Sequence, residues 1–87
     1  MSKFRTVFHP AARDELRTIP RDVALRILAK LTEPEADPFG SNTAAPVSQP
    51  DRRRLRVGDY RVIYIVDTGE LIVWVVLVRH RSSVHDT

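Results

Sequence analysis

Arginine is the residue type that dominates the second half of this chain. Seven arginines and no lysine occur between positions 52 and 81, and five of the seven fall within RRRLRVGDYR, residues 52–61. A guanidinium group stays charged at neutral pH, and its planar fork of N–H donors matches the oxygens of a phosphate. The cluster indicates an anionic partner, either nucleic acid or an acidic protein segment, although a merely solvated basic surface would give the same count.

Proton transfer needs another residue type, and histidine is the suitable one here. Arginine is too basic to accept a proton at neutral pH, whereas an imidazole titrates near pH ~6.5. The chain has three histidines, His9, His80 and His85. His85 is the candidate acid or base, although its place near the end of the chain also fits a frayed terminus. We interpret His80 as structural and His9 as a turn residue.

The composition excludes several other kinds of site. The absence of cysteine removes disulfides, thiol catalysis and cysteine-based zinc sites. The histidines are scattered and no carboxylates stand at ligand spacing, so we predict no metal and no cofactor. With 87 residues, 43% of them hydrophobic, we expect one domain spanning residues 1–87. The apolar runs are too short for a membrane span and no signal peptide is apparent, which favours a cytoplasmic protein.

The elements that must position the arginines are three predicted C-terminal strands. These run over residues 52–57, 60–67 and 70–79, joined by two-residue turns at Gly58-Asp59 and Thr68-Gly69. A first strand over residues 3–8, helices over residues 11–19 and 21–33, and an irregular loop over residues 35–50 precede them. Pro34 is expected to end the second helix. The order β-α-α-β-β-β predicts an α+β fold, with two N-terminal helices packed on one face of an antiparallel sheet.

The turn at Gly58-Asp59 fixes which way the arginines point. It pairs Arg56 with Arg61, and alternate residues of a strand share a face. One face therefore carries Arg52, Arg54, Arg56, Arg61, Ile63 and Ile65. The opposite face carries Leu55, Val57, Tyr60, Val62, Tyr64 and Val66, and needs cover from the helix stripe Val23, Ala24, Ile27, Leu28 and Leu31. Like charges opposite each other destabilise a hairpin, and an anion between them would reverse that effect. We therefore predict that the arginine face is open and binds phosphate.

The last predicted strand adds an aromatic residue to that face. With Thr68-Gly69 as the turn, Trp74, Val76 and Val78 join the arginine face. We interpret Trp74 there as an apolar floor, although it could also stack a base. Strict alternation puts Arg79 and Arg81 on the helix side. A bulge or strand end near Arg79 would release them.

The segment LRVGDYRVIYIVDTGELIVWVVLVRHRSSVH closely resembles the C-terminal half of RelE-type toxins, in the RelE/ParE superfamily of toxin–antitoxin systems. FHPAARDELRTIP and RDVALRILAKL resemble the family's first strand and helical hairpin. The resemblance implies the fold predicted above. The sequence departs from the family in carrying Arg79 where a glycine precedes the histidine, and in lacking a cation in AAPVSQP.

The resemblance also implies an activity. Such toxins are metal-independent endoribonucleases, or mRNA interferases, that cut mRNA, in many cases on the ribosome, by attack of a ribose 2′-OH on the adjacent phosphate. Carried over by position, the catalytic residues are Arg54, Arg61, Arg81 and His85. The RNA- or phosphate-binding residues are Arg52, Arg54, Arg56 and Arg79.

The partners implied are a RelB-like antitoxin that covers the basic face and helices, mRNA and the ribosome, and operator DNA only as the toxin–antitoxin complex. No membrane partner is expected. Two alternatives stay open: a ParE-like poison of DNA gyrase, and a catalytically weak toxin that only binds RNA and antitoxin.

Overall fold

The computed structural model describes residues 3–40, 43–44, 52–80 and 82. Strand β1 spans Arg5–Phe8 and is followed by helices α1 (Pro10–Thr18), α2 (Arg21–Lys30) and α3 (Thr32–Ala36). Strands β2 (Thr43–Ala44), β3 (Arg52–Val57), β4 (Tyr60–Asp67) and β5 (Ile72–His80) complete the sheet. The α+β class and the order of the main elements are as predicted. In the part of the chain described, no helix is long and apolar enough to cross a membrane.

The sheet is mixed rather than antiparallel. Its five strands lie in the order β1-β5-β4-β3-β2, and β1 pairs with β5 in parallel while the other neighbours are antiparallel. The antiparallel prediction was wrong for this pair because the helices carry the chain from β1 to the opposite edge of the sheet, and β3, β4 and β5 then follow as neighbours until β5 lies beside β1. A parallel pair requires such a crossover connection.

One face of the sheet packs against the helices and forms the core. Leu55, Val57, Val62, Tyr64 and Val66 are buried there, and Tyr60 packs against them, as predicted for this face. From β5 the core receives Val73, Val75 and Val78, and from the helices Ala12, Ile27 and Leu31. The predicted helix stripe was wrong at Leu28, which is 41% exposed. The sheet face away from the helices is called the open face below.

The second helix ends earlier than predicted, and Pro34 does not stop the chain from coiling. Leu31 lies between α2 and α3, and Pro34 occupies the first turn of α3. Proline is tolerated there because first-turn N–H groups have no helical partner. Short helix α3 is tied to β1, since the backbone N–H groups of Lys3 and Phe4 donate to the Glu35 carbonyl and Thr6 Oγ1 donates to Glu35 Oε2 at 2.7 Å.

The segment after α3 is anchored to the core. The hydroxyl of Tyr64 donates a buried 2.6 Å hydrogen bond to the carbonyl of Pro38. Nearby, the Arg53 guanidinium lies 5.5 Å from the centre of the Phe39 ring. Arg53, which makes this cation–π contact, pairs with Tyr64 and so lies on the helix side of the sheet. It is therefore not part of the open face. The irregular-loop prediction thus fails for residues 35–36, which are helical, and for the two residues of β2.

Candidate functional site

The first hairpin has the register that the sequence predicts. Arg56 lies opposite Arg61, Arg54 opposite Ile63 and Arg52 opposite Ile65. Gly58 adopts φ +57°, a conformation that glycine accepts without the steric cost of a side chain, which explains the tight turn. The Nε of Arg56 also donates to the Gly58 carbonyl at 3.4 Å. The four predicted arginines therefore share the open face.

The second hairpin differs from the prediction in its turn. Asp67 pairs with Ile72 rather than with Glu70, so four residues connect the strands instead of two. The Asp67 carboxylate accepts the Glu70 backbone N–H at 2.9 Å, and Leu71 takes φ +57°. A side chain that hydrogen-bonds the backbone ahead of it builds a turn of its own, and this turn overrides the Thr-Gly signal.

A β-bulge then shifts the phase of β5. Ile63 pairs with Leu77 while the next residue, Tyr64, pairs with Val75, which leaves Val76 as the extra residue. Beyond the bulge Val78 faces the core and is fully buried, against the prediction that it joins the open face. Arg79 consequently lies opposite Arg61 on the open face. The prediction from strict alternation, that Arg79 faces the helices, was wrong. The reason is a β-bulge, which the sequence analysis named as the feature that would release Arg79.

The bulge aligns three arginines across three neighbouring strands. Arg56 on β3, Arg61 on β4 and Arg79 on β5 face one another in one transverse line, here called the arginine row. Along β3, Arg52, Arg54 and Arg56 occupy alternate positions, here called the arginine ladder. Neighbouring strands are about 5 Å apart and alternate residues about 7 Å apart, so adjacent guanidinium groups of the row or the ladder are within reach of one phosphodiester. Arg56 and Arg79 are exposed, and the other three are half-buried.

The open face also carries apolar residues in the corner between row and ladder. Ile65 pairs with both Arg52 and Trp74, and Trp74 pairs with Val7 of β1. Ile63 and Leu77 lie between this line and the arginine row. Ile63 is only 8% exposed, although none of the helices described above packs on this face. The apolar corner is defined as Val7, Ile63, Ile65, Trp74 and Leu77.

His80 lies away from the arginine row. It pairs with Tyr60, and the two rings meet edge to face at 5.2 Å. Its Nδ1 accepts the Ser82 backbone N–H at 3.2 Å and lies 2.7 Å from Ser82 Oγ. The ring lines a cavity of about 250 Å³ on the helix side, between α2 and the β3–β4 turn. Two predicted catalytic residues, Arg81 and His85, lie outside the described residues.

The sequence matches the family model described as the ParE toxin of type II toxin–antitoxin systems over residues 6–85. The chain belongs to this family. It is therefore a toxin of a type II toxin–antitoxin system and a member of the RelE/ParE superfamily, as its resemblance to RelE-type toxins indicates. A search of the curated proteins finds no significant match.

Solved structures show the same fold. The archaeal RelE–RelB complex from Pyrococcus horikoshii OT3 matches with a TM-score of 0.75 at 22% identity, covering 94% of this chain and 99% of that one. The RelBE2 toxin–antitoxin complex from Mycobacterium tuberculosis gives 0.79 at 20% identity, covering 91% and 99%. The intact RelBE complex from E. coli gives 0.77 at 24% identity, covering 88% and 95%.

Proposed function

We propose that this toxin is a metal-independent endoribonuclease that holds the RNA backbone on its arginine row and ladder. The observation that carries the proposal is the alignment of Arg56, Arg61 and Arg79 across three strands. Three guanidinium groups side by side make this part of the sheet surface strongly positive, which favours binding of a shared anion. A phosphodiester is such an anion, and arginine binds its oxygens in bidentate fashion.

The reaction that this site would support is transfer within the RNA strand. The 2′-oxygen of one ribose attacks the adjacent phosphorus, the bond from phosphorus to the 5′-oxygen breaks, and the products are a cyclic 2′,3′-phosphate and a 5′-hydroxyl. Arg61 and Arg54, with Arg81, neutralise the charge that develops on the phosphate oxygens. His85 takes the proton from the 2′-hydroxyl while water protonates the leaving 5′-oxygen, or His85 protonates the leaving oxygen while water takes the 2′ proton. Arg52, Arg56 and Arg79 hold the scissile and flanking phosphates.

The partners follow from the same surface. An antitoxin with an acidic segment would neutralise the open face and pack along the helices, as expected from the RelB-type partners in the similar structures. The substrate would be mRNA on the ribosome, which implies a cytoplasmic site of action. Operator DNA would be bound only by the toxin–antitoxin complex.

A second function is favoured by the family model itself, which is that of ParE toxins. A ParE-like chain would arrest growth by poisoning DNA gyrase rather than by cutting RNA. The arginine row is then an interaction surface without catalysis, and Arg61 has no role in cleavage.

Induction of the chain alone in cells tests these functions against each other. We expect growth arrest, with new transcript 5′ ends inside coding regions. Arg61→Glu and His85→Ala should both remove the new ends, and Arg13→Glu, at an exposed position of α1, should keep them. Arrest with DNA damage and intact transcripts would support gyrase poisoning and refute the nuclease. Transcript ends that persist in Arg61→Glu would remove the arginine row from the mechanism.

A further inference from the structure

We infer that Trp74 is a stacking platform for an unpaired base, so that the open face selects single-stranded RNA. The inference rests on the proposed function, because the arginines must first hold the RNA backbone. It adds a residue and a substrate class that phosphate binding alone does not require. An arginine surface by itself would accept any polyanion, whether single-stranded, duplex or peptide.

The first step is the place of Trp74 on the sheet. It lies on the open face between Ile65 and Val7, and it is half-buried rather than enclosed in the core. Its neighbour Ile65 is 37% exposed, so this part of the apolar corner is accessible. Among the described strand residues Trp74 is the one aromatic side chain on the open face, because Tyr60 and Tyr64 face the helices. It is also the chain's single tryptophan.

The second step is the relation of Trp74 to the charges. Trp74 shares a transverse line with Arg52, the last rung of the arginine ladder, with only Ile65 between them. Two strand spacings, roughly 10 Å, separate the two residues. This is comparable to the span of one nucleotide from its phosphate to the far edge of its base. An RNA strand whose phosphates bind along the arginine ladder of β3 can therefore place a base on the apolar corner.

The third step is the chemistry of the apolar corner. An exposed isoleucine and a half-buried tryptophan on this face suit the apolar face of a base better than a phosphate. Aromatic side chains beside a basic groove bind single strands by stacking, whatever the base sequence. A duplex keeps its bases paired and stacked on one another, so it cannot use the platform. Among the described strand residues this face has six arginines, Arg5 included, against the single carboxylate of Asp67, and this charge excess favours a nucleic acid that carries one charge per nucleotide.

The fluorescence of the single tryptophan gives a direct test. The probes are a fully 2′-O-methylated RNA oligonucleotide, which lacks the attacking hydroxyl, and an abasic oligonucleotide of the same length. The full chain is titrated while tryptophan emission reports on Trp74 and the anisotropy of a labelled oligonucleotide reports on binding. We expect the methylated RNA to bind and quench the emission, and the abasic strand to bind more weakly without quenching.

Three variants separate stacking from folding. Trp74→Phe should keep affinity within about threefold, and Trp74→Leu should lose between about 5-fold and 150-fold, the range for one stacked base. Thermal melts of each variant verify that the sheet is intact. Arg61→Ala should weaken the methylated and abasic strands alike, since it removes a phosphate contact.

The outcomes are distinct. Equal affinity of the folded Trp74→Leu variant, or binding of methylated RNA without quenching, would overturn the platform while leaving phosphate binding intact. Quenching by an acidic amphipathic peptide but not by RNA would overturn it in favour of a protein segment as the occupant. Failure of every oligonucleotide to bind would refute the proposed function itself and the platform with it. Quenching that requires bases and is lost in Trp74→Leu supports the inference.

Discussion

Replacing Arg79 by threonine should stabilise the isolated toxin at low salt while weakening its hold on phosphate. Arg79 is exposed and lies one strand spacing from Arg61. Two unit charges about 7 Å apart in water repel by roughly 0.6 kcal/mol, within the range of about 0.2–1 kcal/mol for cross-strand pairs. Threonine suits a strand, so removing the charge should leave the backbone preference intact. For a domain of this size the gain corresponds to a melting temperature higher by about 2–5 °C.

The assay is thermal unfolding followed by circular dichroism, at low ionic strength and again at 1 M sodium chloride. Salt shortens the screening length to about 3 Å, so the gain should nearly vanish there. Inorganic phosphate should raise the melting temperature of the parent chain more than that of Arg79→Thr, because the variant has lost one ligand of the bound anion. Arg13→Ala, on α1, measures the general effect of removing one positive charge.

Three results would refute this reasoning. The variant would melt below the parent at low salt if Arg79 contributed more packing than repulsion. The gain would persist in 1 M salt if it were not electrostatic. Phosphate would protect both proteins equally if Arg79 did not touch the anion. Either of the first two results would mean that repulsion between Arg61 and Arg79 does not limit stability, and the third would mean that Arg79 does not bind the anion.

The remaining predictions concern register, turn and anchor. In this cysteine-free chain, Arg61→Cys with Arg79→Cys should form a disulfide under mild oxidation, detected by gel shift, whereas Arg61→Cys with Val76→Cys should not; the reverse would place β5 in the register of a two-residue turn without a bulge. Leu71→Gly should stabilise by about 1 kcal/mol in urea unfolding, because it relieves a positive φ; a loss of similar size would show that the Leu71 side chain matters more than its backbone. Tyr64→Phe should lower the free energy of unfolding by about 1–3 kcal/mol in the same assay, because it leaves the buried Pro38 carbonyl without its hydrogen bond. An unchanged urea midpoint would show that this hydrogen bond does not anchor the segment.

The sequence predicted the strand register of the first hairpin correctly and that of the second hairpin wrongly, and each outcome has a local reason. Around Gly58 the arginines alternate with apolar residues. The alternation and the turn position therefore indicate the same strand register, and the structure has that register. From residue 71 to residue 78 the sequence reads LIVWVVLV, which is apolar throughout. Such a run has no alternation to show which side chains face the core, so neither the four-residue turn nor the bulge at Val76 could be predicted from it.

Non-local contacts account for the other errors. The parallel pairing of β1 with β5 joins residues more than sixty positions apart, and no local pattern encodes it. The anchoring of Glu35 to β1 is of the same kind, since it depends on how α3 docks after the sheet has formed. The prediction that Pro34 ends the second helix was wrong because proline is compatible with the first turn of a helix, and Pro34 lies in the first turn of α3.

The bulge connects the sequence to the function proposed for this toxin. In an unbulged strand of this apolar composition, Arg79 would point at the helices and bury a charge against the core. One extra residue, Val76, moves that charge to the open face and at the same time returns Val78 to the core. The same inserted residue thus satisfies the packing of the core and places Arg79 where the proposed phosphate site needs it. Under the proposed function, binding and proton transfer would be separate properties of the chain, because the arginine row would hold a phosphate without His85, whereas His85 would have no substrate unless the row held the RNA.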